Sequence, residues 1–236
     1  MGNAIIKSSF RLTVASAFLA VSMGAHAGLQ EGLAAYKNKN FKAAVNEFVP
    51  PAEKGDVVAL FYIALMYENA EGLPQNYPQA MFLYRQAADK GYAPAQCNLG
   101  FMYETEAASD RSYKDAAFWY RKAAEQGNAP AQFNLGLMNY IGRGIEVPRN
   151  LKEAASWYLK AAEQKYPPAQ NSLGKMYENG QGVPVSLTQA HMWYSLASAA
   201  GNETARINKK EIEVKMDPDT IEQAQALTRE WLASHP

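Results

Sequence analysis

Cysteine and histidine are nearly missing from this chain. Its 236 residues hold one cysteine, Cys97, and three histidines. One cysteine cannot form an intramolecular disulfide framework. The histidines have no acidic or cysteine neighbours at metal-ligand spacing, so no metal or other cofactor is expected. An excess of one charge is missing too: 23 Lys and Arg stand against 23 Asp and Glu, without basic clusters. Such a chain offers little attraction to nucleic acid or anionic lipid, and neither is expected as a partner.

Long apolar runs are also missing, apart from one near the start. Residues 1–27 carry Lys7 and Arg11, then the mostly apolar Leu12–Met23, then Ala25-His26-Ala27. These match the charged, apolar and small-residue regions of a secretory signal. The run spans 12 residues, short of the ~20 a membrane-spanning helix needs. Cleavage is expected after Ala27, with Gly28 the first residue left and no membrane insertion afterwards; an uncleaved anchor is the alternative. Cys97 lies far from the cleavage region, so no thiol is there for lipid attachment. Ile6 stands where N-terminal acylation needs Ser or Thr. A periplasmic or secreted location follows as the expectation.

What the chain does have is repetition. The word APAQCNLGFMYE at Ala93–Glu104 returns as APAQFNLGLMNY at Ala129–Tyr140 and PPAQNSLGKMYE at Pro167–Glu178, with a fainter VVALFYIALMYE at Val57–Glu68. The copies lie 36 to 38 residues apart. A fixed period of that length marks an array of similar supersecondary units, each burying its apolar face against the next.

Each repeat reads as two helices. The first starts near Pro94, Pro130 or Pro168, since proline suits a first helical turn. It runs through the pairs Leu99-Gly100, Leu135-Gly136 and Leu173-Gly174, where glycine admits a close neighbour. Gly72, Gly142, Gly144, Gly180 and Gly182 are expected to end first helices; the Thr105–Arg111 connection has no glycine. Second helices open on Asn40, Asn76, Ser112, Asn150 and Ser186, residues whose side chains cap orphan amides. Three residues on stand Ala43, Gln79, Asp115, Glu153 and Gln189, so several copies form a capping box. Down these helices Ala44, Ala80, Ala116, Ala154 and Ala190 precede Phe48, Tyr84, Tyr120, Tyr158 and Tyr194 by four residues, fixing one core face. Trp119, Trp157 and Trp193 recur beside them as packing residues.

The array opens with a short helix over Leu29–Asn38. Near its end, Lys209 and Lys210 occupy the Leu-Gly place in Glu203–Lys215, so no further repeat is expected to stack there. Asp217-Pro218 starts a last helix with Ile221, Ala224, Leu227 and Trp231 on one face, an amphipathic cap. The expected division is a signal over 1–27, a solenoid over 28–216 and a capping helix over 217–236.

Several features together resemble Sel1-like repeats, relatives of tetratricopeptide repeats with longer units. They are the Ala-rich second helix, the Asp89-Lys90-Gly91 and Glu125-Gln126-Gly127 turns, the APAQ word, the Leu-Gly pair and the NGQGVP loop at Asn179–Pro184. The match covers about Asn40–Gly201, and Glu222–Trp231 resembles the closing helix of many such proteins. The resemblance implies an all-α fold, an α/α solenoid coiled as a right-handed superhelix of helical hairpins, with first helices on the concave side. It also implies a scaffold or adaptor for other proteins, exported in some bacterial members. Cysteine-rich relatives are clasped by paired cysteines, and β-lactam binding or hydrolysis has been described for them; one cysteine cannot build those clasps. Asn139 departs from the usual Tyr of the Met-Tyr pair.

Positions alike in every repeat hold the fold, whereas groove-facing positions that vary are free to serve a ligand. Three columns should face the concave side. They are Phe61, Cys97, Phe133 and Asn171; Leu65, Phe101, Leu137 and Lys175; and Glu68, Glu104, Tyr140 and Glu178. An apolar strip with a polar end and acidic edge suits an extended or helical peptide. The alternative is that these side chains are interhelical core.

Chemistry has few candidates. His191 is expected at a helix interface and His235 at a frayed end, with no Ser/His/Asp set in view. Cys97, flanked by apolar residues, reads as core or groove and less readily as a nucleophile. The row of glutamates is too widely spaced for paired acid–base work, with helix axes roughly 8–10 Å apart. Gly142–Gly144 lacks the strand and the Lys-Ser/Thr ending of a phosphate cradle. The expected function is a non-enzymatic, exported, monomeric scaffold binding a protein or peptide. The alternatives are an envelope enzyme or β-lactam-binding protein, or a structural role through self-association.

Overall fold

In the computed structural model, residues 28–105, 112–142 and 148–235 are described. The expected signal over 1–27, most of the Thr105–Arg111 connection and Gly144 lie outside them. Among the described residues all regular structure is helical: α1 (28–37), α2 (Phe41–Glu53), α3 (Val57–Asn69), α4 (Tyr77–Asp89), α5 (Ala93–Glu104), α6 (Tyr113–Glu125), α7 (Ala129–Ile141), α8 (Leu151–Glu163), α9 (Pro167–Asn179), α10 (Leu187–Ala199), α11 (Glu203–Glu213) and α12 (Pro218–Ser234). The chain forms two compact units, one ending at Ala95 and the other beginning at Gln96.

The helix starts follow from side-chain caps. Asn40, Asn76, Ser112, Asn150 and Ser186 each accept a hydrogen bond from the amide three residues on, at 3.0–3.3 Å. Asp56, Asn128 and Asn202 cap α3, α7 and α11 in the same way. Each cap contributes about 1 kcal/mol. The amides of Asn76, Ser112, Asn150 and Ser186 also donate to carbonyls near the end of the preceding helix, at 2.8–3.0 Å. Those bonds close each hairpin.

In the first unit α2 packs on α3 and α3 on α4. In the second, α6 packs on α7, α7 on α8, α8 on α9, α9 on α10 and α10 on α11. Both cores are built from the same stripe: Ala44, Phe48, Ala80 and Tyr84 in one, Ala116, Tyr120, Ala154, Tyr158, Ala190 and Tyr194 in the other, all buried. Trp119, Trp157 and Trp193 are buried with them. Close approach is what the Leu-Gly glycines supply. A Cβ on Gly136 would stand 2.7 Å from the Tyr158 ring, and one on Gly174 equally close to Tyr194.

The last helix does not extend the row. α12 folds back on α10, setting Leu227 and Trp231 against the apolar cluster of α8, α9 and α10. The Trp231 ring meets Trp193 edge-on at 5.9 Å. Among the described residues no helix is long and apolar enough to cross a membrane.

Candidate functional site

The candidate residues lie on the first helices, and each unit holds its own set. In the first unit Phe61, Leu65 and Glu68 are half-buried on α3. The Phe61 ring sits 5.5–5.6 Å from Tyr62, Tyr84 and Tyr92. In the second unit Phe133, Leu137 and Tyr140 are half-buried on α7 and pack against the cluster of α8 to α10. Phe133 lies 5.6 Å from both Tyr158 and Tyr166. Phe101 on α5 is 48% exposed, and Lys175 on α9 is exposed. Cys97 is buried, and Asn171 accepts a hydrogen bond from the Asn208 amide at 2.9 Å. The columns thus combine packed inner edges with a few open side chains.

The three glutamates do more than border this surface. Glu68, Glu104 and Glu178 accept hydrogen bonds from Tyr84, Tyr120 and Tyr194, at 2.6, 3.0 and 2.9 Å. Each links the end of a first helix to the buried tyrosine of its second. Burial, followed by the nearby carboxylate, pushes the Tyr120 and Tyr194 hydroxyls well above the ordinary tyrosine range. Where Tyr140 replaces glutamate, the pattern shifts. Tyr158 has no carboxylate partner at that place, and the Tyr140 hydroxyl donates to Gln181 at 3.0 Å. Asn139 is buried and satisfied within its own helix, donating to the Leu135 carbonyl at 2.9 Å.

The reactive-group candidates resolve differently from the sequence expectation in one respect. Folding does bring a serine, a histidine and an acid together: His191 Nε2 lies 2.8 Å from Glu213 Oε1, and its Nδ1 lies 3.4 Å from Ser195 Oγ. The histidine is wholly buried and not merely at an interface. Ser195 stands one turn along the same helix, at the outer limit of hydrogen bonding. With the ring closed off from any substrate, the set ties α10 to α11. Cys97 is held as a thiol, since burial pushes its pKa up to about 12. That is the opposite of an activated nucleophile. Among the described residues no three His, Cys, Asp or Glu side chains gather as a metal site.

Comparison with protein families matches the Sel1 repeat to residues 57–92, 93–128, 129–166 and 167–202. The chain belongs to the Sel1 repeat family. Its repeats have the helical-hairpin fold typically used as a scaffold for protein interactions. Among solved structures it is similar to c5321, a protective antigen of uropathogenic Escherichia coli with an SLR fold, at 34% identity and a TM-score of 0.76. That match covers 82% of this chain and 41% of that one, so this chain spans less than half of c5321. A Sel1 repeat protein of Oxalobacter formigenes matches at 28% identity and a TM-score of 0.72, over 78% of this chain and 74% of that one. The immunity protein Pa5087 of Pseudomonas aeruginosa shares the fold at 22% identity and a TM-score of 0.53, over 89% and 80% of the two chains. Comparison with curated proteins gives no match.

The glutamine of the Sel1 word was not assigned a role from the sequence. Gln96, Gln132 and Gln170 are buried. Gln132 and Gln170 donate to the carbonyls of Ala124 and Ala162, at 3.0 and 3.1 Å. Gln96 and Gln132 accept from Gln126 and Gln164, the residues that cap the ends of α6 and α8 in the same repeat, both at 2.7 Å. The side-chain amide thereby ties the two helices of a Sel1 hairpin together and joins the hairpin to the one before it. A polar residue recurring inside an otherwise apolar helical word was the available signal, because a buried amide requires partners.

Proposed function

We propose that this Sel1 protein is an exported, non-enzymatic scaffold that binds a protein or peptide through its first-helix faces. In the first unit that face presents Phe61, Leu65 and Glu68. In the second it presents Phe101, Phe133, Leu137 and Tyr140, with polar Asn171 and Lys175 at the far end. The observation that carries the reading is Phe101, which leaves 48% of its surface in water on a helix whose neighbouring positions are packed. Exposed aromatics beside half-buried ones are the usual anchors of a binding surface. The tyrosine-bound Glu68, Glu104 and Glu178 carboxylates are held in fixed positions, which lowers the entropy lost when a partner docks. Export is supported by the signal-like residues 1–27 and by the likeness to c5321, itself described as a protective antigen.

Phe101→Asp and Leu137→Asp test the face, with the exported protein as bait in an envelope extract. Phe101→Asp should abolish specific capture while moving the melting temperature by less than about 2 °C, a small change for a chain of this size. Unchanged capture by both variants would overturn the face. Covalent labelling by a β-lactam would overturn the non-enzymatic reading. Recovery of the protein with Met1–Ala27 still attached would count against cleavage.

A further inference from the structure

Aromatic rings and carboxylates wall one cleft of the second unit. It opens between α8, α9, α10 and α12, has a volume of about 400 Å³, and is lined by Tyr177, Trp193 and Trp231 together with Glu163 and Glu230. Among the described residues no lysine or arginine stands in its lining. The volume falls in the range of small-ligand sites, roughly 300–1,000 Å³. Glu163 and Glu230 are exposed, and neither forms an ion pair among the described residues. His235 stacks on Trp231 at 4.3 Å, with its Nδ1 2.9 Å from the Trp231 carbonyl, and so belongs to the wall. Trp193 is 4% exposed, and its indole N–H is buried without an acceptor among the described residues. A buried donor left unmet is costly, so this wall has free energy to regain by resettling around a ligand.

The repeats separate what is common to such grooves from what is particular to this one. In the first unit Glu53, Tyr67 and Gln79 occupy the places of Glu163, Tyr177 and Gln189 in an equivalent groove. Those three positions belong to the repeat. Leu83 stands at the place of Trp193, and the lining there has no counterpart of Trp231 or Glu230. The second unit thus adds two indoles and a second carboxylate. Its other tryptophans show what such a ring attracts: Lys160 Nζ lies 4.0 Å from the centre of the Trp157 ring, and Lys122 Nζ lies 5.2 Å from that of Trp119. Each lysine follows its tryptophan by three residues. At that place after Trp193 stands Leu196, which is buried. Indole faces attract cations, and the chain supplies a lysine to the first two tryptophans but not to the third.

We infer that this cleft binds a small organic cation, an amine or quaternary ammonium carried on an apolar body. The rings of Tyr177, Trp193 and Trp231 take the body, and the carboxylates of Glu163 and Glu230 take the charge. Charge complementarity selects the sign of the ligand, because a cleft that offers two unpaired carboxylates and no lysine or arginine repels an anion. The site draws on Tyr177 of α9 and not on Asn171, Lys175 or Glu178, so it stands or falls apart from the first-helix face.

Three probes with one body and different charge make the test: phenethylamine, phenethyl alcohol and phenylacetate, each titrated into the full chain at neutral pH by calorimetry. Saturable binding of the amine is expected, with the alcohol at least about tenfold weaker and phenylacetate weaker still. Glu163→Gln and Glu230→Gln together should weaken the amine by about the same factor and leave the alcohol unchanged. Both side chains are exposed, so the helical circular dichroism should stay intact. Glu53→Gln, in the groove without the indoles, should bind the amine like the parent. No saturable binding of the amine, equal binding of amine and alcohol, or parental binding by the double variant would overturn the inference. Tighter binding of the blocked tripeptide Ala-Lys-Ala than of the amine would overturn it as well, because the cleft would then take a side chain of a partner protein.

Discussion

Gly136 stands where a methyl group would collide with an aromatic ring. Its missing Cβ would be 2.7 Å from Tyr158 Cδ1 and 3.3 Å from the Ala154 carbonyl, and Tyr158 is buried, so the ring has no free space to enter. Gly136→Ala should gain a little helix propensity, up to about 1 kcal/mol, and lose roughly 1–3 kcal/mol by overpacking. A net destabilisation is expected in urea unfolding, whereas Ser156→Ala, at an exposed site on α8, should stay within about 0.5 kcal/mol. Combining Gly136→Ala with Tyr158→Leu should recover part of the loss, because contacting residues couple. An additive double variant would show that the ring is not the obstacle.

At the scale of the element, the tie between α9 and the end of α11 is electrostatic. Glu178 accepts from Tyr194 and pairs with Lys215 at 2.8 Å. Burial alone would raise its pKa. Hydrogen bonds from Lys215 and Tyr194, with the charges of Lys215 and Lys175, outweigh burial and hold the carboxyl below the ordinary glutamate range. The folded state therefore takes up the proton less readily than the unfolded chain. The contribution of this tie is complete above the unfolded-state pKa and is lost as pH falls through the folded one. Unfolding midpoints measured from neutral pH into acid should decline across the carboxylate range. Glu178→Gln should lower the neutral midpoint and flatten that decline. An acid limb as steep as in the parent would remove Glu178 from the explanation.

These two examples also mark what the sequence could disclose. Caps such as Asn76 and Ser186, and the Ala80–Tyr84 stripe, were legible because each is local and is displayed several times over in equivalent surroundings. The Leu-Gly pair was legible as a close approach, though not which ring it meets. Partnerships made by packing were not. The glutamates could be placed in a row, but their bond to a tyrosine 16 residues on depends on how two helices lean together. His191 and Glu213 lie 22 residues apart and meet only because α11 settles on α10. The amphipathic face of α12 was plain from Ala224, Leu227 and Trp231. The direction in which it folds, back over α10, is decided by the turn between Val214 and Asp217 and by the open cluster that Trp231 covers.

At the largest scale, packing that runs from helix to neighbouring helix within each unit has a consequence for how stability is shared. In a row of this kind stability is a sum of hairpin terms and nearest-neighbour interfaces, so damage at one place should fade along the chain and not spread uniformly. The second unit offers a clean case, because Trp231 contributes from outside the row, through α10. Trp231→Ala removes a half-buried ring and should cost on the order of 2–3 kcal/mol, at or below the lower end for a core tryptophan. Native-state hydrogen exchange should then show the largest loss of protection in α10 and α12, a smaller one in α8 and α9, and little change in α6. Amides open in contiguous cooperative groups, so the gradient should advance hairpin by hairpin and not residue by residue. Equal loss of protection from α6 to α12 would mean that the second unit unfolds as one body. The additive account of its repeats would then have to be abandoned.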